Sequence, residues 1–337
     1  MKKILLLALS LSVTGLLVYY LLTRSHWSDW QRIIFQLNPL YLLGYLMLYL
    51  GGLLLRTFRY QLLLKSAHSS VLPTFSNLLL VTGVRNMLVD FLPARTGSLS
   101  YIVLLNRAFK VDLSPCLSSF AYAFLFDLMA MAPLLGLAIL VESQLSHKSY
   151  PWLWVIALLI MLVALILILS LGPLIKLLAK WSGQTSGHWG KHPWLEKMDQ
   201  QIQNIGYSFL TIREKGIFWP TVGLSLMIRG LKYLSLYLLL WTVLQALYGA
   251  GYYLPFWMVL LGLIGSEAAA GLPVSGIAGF GFYEGVLGSI LSTQGIPSSQ
   301  AVLVSFAMHL LTQVVDYSLG SGALLYIVFR VLKKKSQ

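Results

Sequence analysis

Long apolar runs, broken by isolated charged residues, repeat along the chain from one end to the other. Candidate spans read at 4–22, from Pro39 to about 55, and at 115–141, 151–171, 217–247 and 300–329. An α-helix needs roughly 20 residues to cross a hydrocarbon core, and these runs are of that order. Two stretches interrupt the pattern. Residues 88–105 carry Asp90, Pro93, Arg95 and Gly97, and residues 267–284 read EAAAGLPVSGIAGFGFYE. Each holds Leu-Pro followed shortly by glycine: Pro93 then Gly97, and Pro273 then Gly276. Hydrocarbon cannot hydrogen-bond the backbone groups that such a break frees. The breaks must therefore be packed in protein or line a wet cavity. The pattern predicts an all-α, polytopic integral membrane helical bundle with two broken or re-entrant helix hairpins, at 74–109 and 255–294. The whole chain, 1–337, reads as a single transmembrane domain.

Composition narrows the class. The chain is 58% hydrophobic and 10% charged, against about 25% charged in soluble domains. An ordinary soluble enzyme is excluded. The net charge of +13 is not one patch. Its cations cluster at span ends, which predicts a multi-pass protein of the cytoplasmic (inner) membrane with both termini cytoplasmic. No basic groove-reading motif is present, so nucleic acid is not an expected partner. The first run follows Lys2-Lys3 but lacks a small-x-small cleavage site, so it reads as an uncleaved span. Residues 23–38 read as a polar linker. Arg56 and Arg59, three apart on one helix face, read as interfacial side chains snorkelling from the second span, with headgroup binding as the alternative. The lysine-rich stretch 174–216 carries Leu195, Met198, Ile202, Ile205, Phe209 and Ile212 at helical steps. It predicts a cytoplasmic amphipathic loop helix. A single cysteine, Cys116, excludes an intrachain disulfide.

Charged side chains at membrane depth cost on the order of 3 kcal/mol each. The chain places Arg85, Asp90, Arg95, Asp127, Arg229, Lys232, Glu267, Glu284 and Asp316 there. Such groups must pair or face a polar cavity. Asp127 and Asp316 suit ion pairs between helices. Arg95 and Glu284 flank the breaks, where bare helix ends attract an anionic group. The expected headgroup site is Arg95, with Arg85 or Arg229, on a lipid phosphate. Glu284, Asp90 and Asp127 would orient the arginines or meet a cationic part. Pro93, Gly97, Pro273 and Gly276 would permit the breaks. No P-loop, G-x-S-x-G, HExxH or CxxC motif occurs, so neither an enzyme nor a cofactor is expected. His188 and His192 lack a third ligand nearby, and no metal is expected. His309 reads as a packed histidine, although Asp316 two turns away could complete a proton relay.

The runs RTFRYQLLL, RNMLVDFLPARTGSLSYIVLLNRAFKV and GLPVSGIAGFGFYEGVLGSIL, then VSFAMHLLTQVVDYSLGSGALLYI, carry a resemblance. They resemble the lysylphosphatidylglycerol synthase transmembrane, or flippase-like, family over about 40–330. The shared motifs are P-x-R-x-G in the first break and a glycine-rich run ending in Glu284 in the second. The resemblance implies lipid handling, with Pro93, Arg95, Gly97, Asp127 and Glu284 as matching site residues. It also shows departures. Ser98 stands where the family pattern carries Glu, and Tyr283 where Arg precedes Glu284. FLFD at 124–127 lacks an arginine, and His309 stands where arginine is common. No synthase domain follows Gln337, so the lipid-handling half is expected without aminoacyl transfer.

The expected function is binding and translocation of an amphipathic lipid with an anionic or zwitterionic headgroup, a phospholipid or polyprenyl-type carrier. One competing reading is a membrane partner that recruits a soluble lipid-modifying enzyme through 174–216. Another is an intramembrane transferase acting on a lipid or polyprenyl carrier. A homo-oligomer is compatible with each.

Overall fold

The computed structural model describes residues 2–67, 69, 71–145, 154–163, 166, 211–272 and 275–335. Among them all regular structure is helical, as the apolar periodicity predicts. Four of the described helices are long and apolar enough to cross a membrane. They are α3 (Pro39–Ser66), α6 (Leu113–Leu145), α8 (Phe218–Tyr248) and α11 (Ser298–Lys335). α1 (Lys2–Arg24) and α2 (Trp27–Phe35) make a further pair, bent by 102°. A short apolar helix, α7, spans Trp154–Val163.

α3 shows how sequence makes a membrane helix. Asn38 Oδ1 accepts the Leu40 N–H at 2.9 Å and Pro39 fills the first turn, where its missing N–H costs nothing. Leu40, Leu43, Met47, Leu50, Leu54 and Phe58 then point outward. The opposite face buries Tyr45, Thr57, Arg59 and Tyr60. Apolar outside and polar inside reverses the arrangement of a soluble helix, and it is stable only against lipid.

The linker expected at 23–38 is largely a helix, α2. Its polar content hid it, because Asp29 is buried and accepts a hydrogen bond from Gln300 Nε2 at 3.1 Å. The Tyr248 hydroxyl donates to the same glutamine at 2.5 Å. This chain of bonds clips α2 to the ends of α8 and α11.

The first break follows α4 (Phe75–Phe91). A 3₁₀ segment, Pro93–Leu99, leads into α5 (Ser100–Phe109). Arg95 takes the left-handed conformation at φ 54. The 3₁₀ segment folds back onto the end of α4 so tightly that a Cβ on Gly97 would lie 1.7 Å from the Leu88 carbonyl oxygen.

The second break lies between α9 (Phe256–Ala270) and α10 (Phe282–Ser292), around a turn at Ile277–Gly279. Ala278, Gly279 and Gly281 have φ of 56, 83 and 100. A Cβ on Gly276 would meet the Phe280 carbonyl oxygen at 1.9 Å. Pro273 and most of the 174–216 loop lie outside the described residues.

Among the described residues the buried apolar side chains form two clusters. One is built mainly from α8–α11 with α1, and the other mainly from α3–α6, closed by Phe218 of α8 and Ala323 and Ile327 of α11. A polar cavity takes its walls from helices of both.

Candidate functional site

The cavity holds about 1370 Å³ of unoccupied space, part of it open to the exterior. Helical spacing sets its lining. α3 contributes Tyr45, Tyr49, Gly52 and Arg56 along one face. α4 contributes Asn86 and Asp90, and α11 contributes His309, Thr312 and Asp316. Steps of three and four residues bring each set onto one side of its helix. Two bonds fix the helices at matched heights. Arg56 Nη1 donates to Asn86 Oδ1 at 2.8 Å, and the Tyr49 hydroxyl donates to Asp316.

One wall is a run of ion pairs linking α3, α6, α8 and α9. Arg59 Nη1 lies 2.7 Å from Asp127 Oδ1 and donates to Ser225 Oγ at 2.8 Å. Arg229 sits between Asp127 and Glu267 at 3.6 and 3.7 Å. Lys232 Nζ meets Glu267 Oε1 at 2.5 Å. Arg59 has no exposed surface, so the snorkelling expected of it is corrected. Its carboxylate partner lies on another helix in the bundle interior, which a local reading cannot see. Asp127 is an interhelical ion-pair residue that also touches the cavity.

Four charges are left over. Arg56, Arg85, Arg95 and Asp90 line the cavity and have no oppositely charged side chain within 4.0 Å among the described residues. Arg56 and Arg85 both reach the same oxygen, Asn86 Oδ1, at 2.8 and 3.5 Å. Their Nε atoms are buried with no partner among the described residues. Arg95 Nη2 donates to the Glu267 carbonyl oxygen at 2.8 Å, bridging the first break to the end of α9. Burial of two guanidiniums around one neutral amide is unfavourable unless an anion joins them. The cavity thus contains a cationic corner that an anion would complete.

Of the residues named from sequence, the structure brings Arg85, Asp90, Arg95, Asp127 and Arg229 to one cavity. Glu284 does not join them. It is fully buried behind the lining: its Oε2 accepts the Gly281 N–H at 2.6 Å and its Oε1 lies 2.7 Å from His309 Nδ1. A carboxylate at the start of a helix caps that helix, and this local bond drew Glu284 inward. His309 pairs with Glu284, whereas Asp316 bonds Tyr49. Arg56, for which snorkelling is the first expectation and headgroup binding the alternative, lines the cavity. Sequence reasoning missed Tyr49, Asn86 and Tyr283 as lining residues. The helical step back from Arg56 could have signalled Tyr49, but nothing local marks Asn86 or Tyr283.

A family model described as the lysylphosphatidylglycerol synthase TM region matches residues 5–320. No curated protein and no solved structure matches the chain.

Proposed function

The chain belongs to the lysylphosphatidylglycerol synthase transmembrane-region family, and from that premise we propose that it binds a membrane lipid by its headgroup and moves it between leaflets. The family relation makes it a multi-pass membrane protein related to lipid handling. The lipid carries a phosphate in an anionic or zwitterionic headgroup. One observation carries this reading: Arg56 and Arg85 face the cavity around the single amide oxygen of Asn86, with no carboxylate within 4.0 Å of them among the described residues. A phosphate diester placed there would give each guanidinium its missing partner. Asp90, one turn along α4 from Asn86 and without an ionic partner among the described residues, would meet a cationic part of a zwitterionic headgroup. The apolar outer face of the helices lets acyl chains remain in lipid while the headgroup crosses. In this reading the protein sits in the cytoplasmic membrane with both termini in the cytoplasm.

The test is lipid movement in proteoliposomes. Fluorescent lipids with phosphoglycerol and phosphoethanolamine headgroups are incorporated, and the outer leaflet is bleached with an impermeant reductant. Wild-type vesicles are expected to bleach well beyond half. A double variant, Arg56→Gln with Arg85→Gln, is expected to slow this by roughly tenfold or more, as befits charge-assisted bonds. Bleaching that stops at half, with and without a proton gradient, would refute translocation. Headgroup binding that survives in the double variant would refute the assigned site.

A further inference from the structure

We propose that His309 is a proton-binding site that links the protonation state of the cavity to the backbone of the second break. The hydrogen bonds around His309 fix its neutral form. Gln313 Nε2 lies 3.0 Å from the Ala278 carbonyl oxygen and 3.0 Å from His309 Nε2. The carbonyl can only accept, so the glutamine nitrogen is the NH₂ group, and its second hydrogen goes to His309 Nε2. Nε2 is therefore an acceptor, and Nδ1–H donates to Glu284 Oε1 at 2.7 Å.

Protonation breaks this arrangement at one atom. A proton arriving from cavity water adds to Nε2, and the ring becomes an imidazolium with N–H on both sides. Nδ1–H keeps Glu284, now as an ion pair. Nε2–H points at the Gln313 NH₂, donor against donor. Gln313 can answer only by turning its amide, so that its oxygen accepts from Nε2–H. That turn sets its oxygen against the Ala278 carbonyl and withdraws the donor from it. One buried amide cannot serve an imidazolium and Ala278 together. Ala278 is the residue at φ 56 in the turn that joins α9 to α10. Its backbone is held in a sparsely populated region by its surroundings, so loss of a bond there is felt in the turn.

His309 is placed for proton access, since it lines the cavity while Glu284 and Gln313 are buried behind it. Glu284 and the Tyr283 ring, 4.4 Å away centroid to centroid, come from α10. Asp90 of α4, Glu267 of α9, Tyr45 of α3 and the cations Arg229 and Lys232 of α8 share the cavity, as do Asp316 of α11 itself and Arg95 of the first break. The Phe280 ring covers the other side at 4.5 Å. The consequence for function rests on the lipid-translocation reading: a proton gradient would bias the break, and with it the cavity.

The experiment is hydrogen–deuterium exchange of the protein in nanodiscs at about pH 5.5 and about pH 7.5. Rates in peptides covering 275–284 are corrected for the intrinsic pH dependence of exchange. Wild type is expected to exchange roughly tenfold faster at the acid pH, the loss of about one buried hydrogen bond. His309→Gln should show no such difference. Gln313→Ala should exchange fast at both. A flat wild-type response overturns the proposal. So does a pH response that persists in His309→Gln or, should that variant not fold, in Gln313→Ala. Phosphatidylglycerol vesicles supply the second arm. Wild-type lipid movement that ignores a pH gradient overturns the coupling. Absence of lipid movement refutes the translocation reading instead, and exchange then decides the role of His309.

Discussion

The two breaks begin from the same signal, Leu-Pro followed by glycine, and end as different devices. The first leaves its charges open. Asp90 and Arg95 stand in the cavity without an ionic partner among the described residues, and Arg95 reaches across to the Glu267 carbonyl. The second closes on itself. Glu284 caps its own helix and pairs with His309, and Gln313 holds the Ala278 carbonyl. A charge beside a helix break thus becomes a ligand or a brace according to whether the local backbone offers it a bond. Glu284 sits where an unpaired N–H awaits it. Asp90 sits near the carboxyl end of α4, where the freed groups are carbonyls that a carboxylate cannot use.

The comparison can be broken most severely at Gly97. Gly97→Val should leave no folded protein, because a Cβ would overlap the Leu88 carbonyl. Loss of the monodisperse peak in size-exclusion chromatography checks this. Gly276→Val should do the same at the second break, and a folded variant at either site would show that the turn can relax.

Next in size is the ion-pair wall that supports both breaks. Arg59→Ala leaves Asp127, its side chain only 15% exposed, with just the longer contact to Arg229. Stability should fall by about 3–5 kcal/mol, the cost of stranding a buried charge. Asp127→Asn in the Arg59→Ala background should recover part of it, measured by thermal unfolding in detergent.

The contrast between open and closed charges predicts a split in binding. Arg85→Gln should weaken headgroup binding by roughly tenfold with little loss of stability, since no carboxylate is orphaned. Glu284→Gln should do the reverse, lowering thermal stability while changing headgroup affinity by less than about threefold, because it lies behind the lining. Equal binding losses in both variants would erase the distinction. The smallest effect is expected for Ser98→Ala, half-buried on the first break and outside the cavity lining, whose binding and melting should match wild type.

The membrane bundle was legible in the apolar pattern. Apolar runs long enough to cross hydrocarbon allow one solution for the backbone, and motifs over about 40–330 pointed to the family whose model matches 5–320. Both breaks were legible too, since Pro and Gly within apolar runs act locally. Which charges meet was not, because that is set between helices. Arg59 finds Asp127, and Arg56 finds Asn86, from separate helices. His309 reaches Glu284 between α11 and α10, while Asp316 turns to Tyr49 on α3. The cost of a buried charge says that a partner must exist, but helix rotation and height choose the partner. Those are set by packing over the whole bundle, and no local stretch of residues records them.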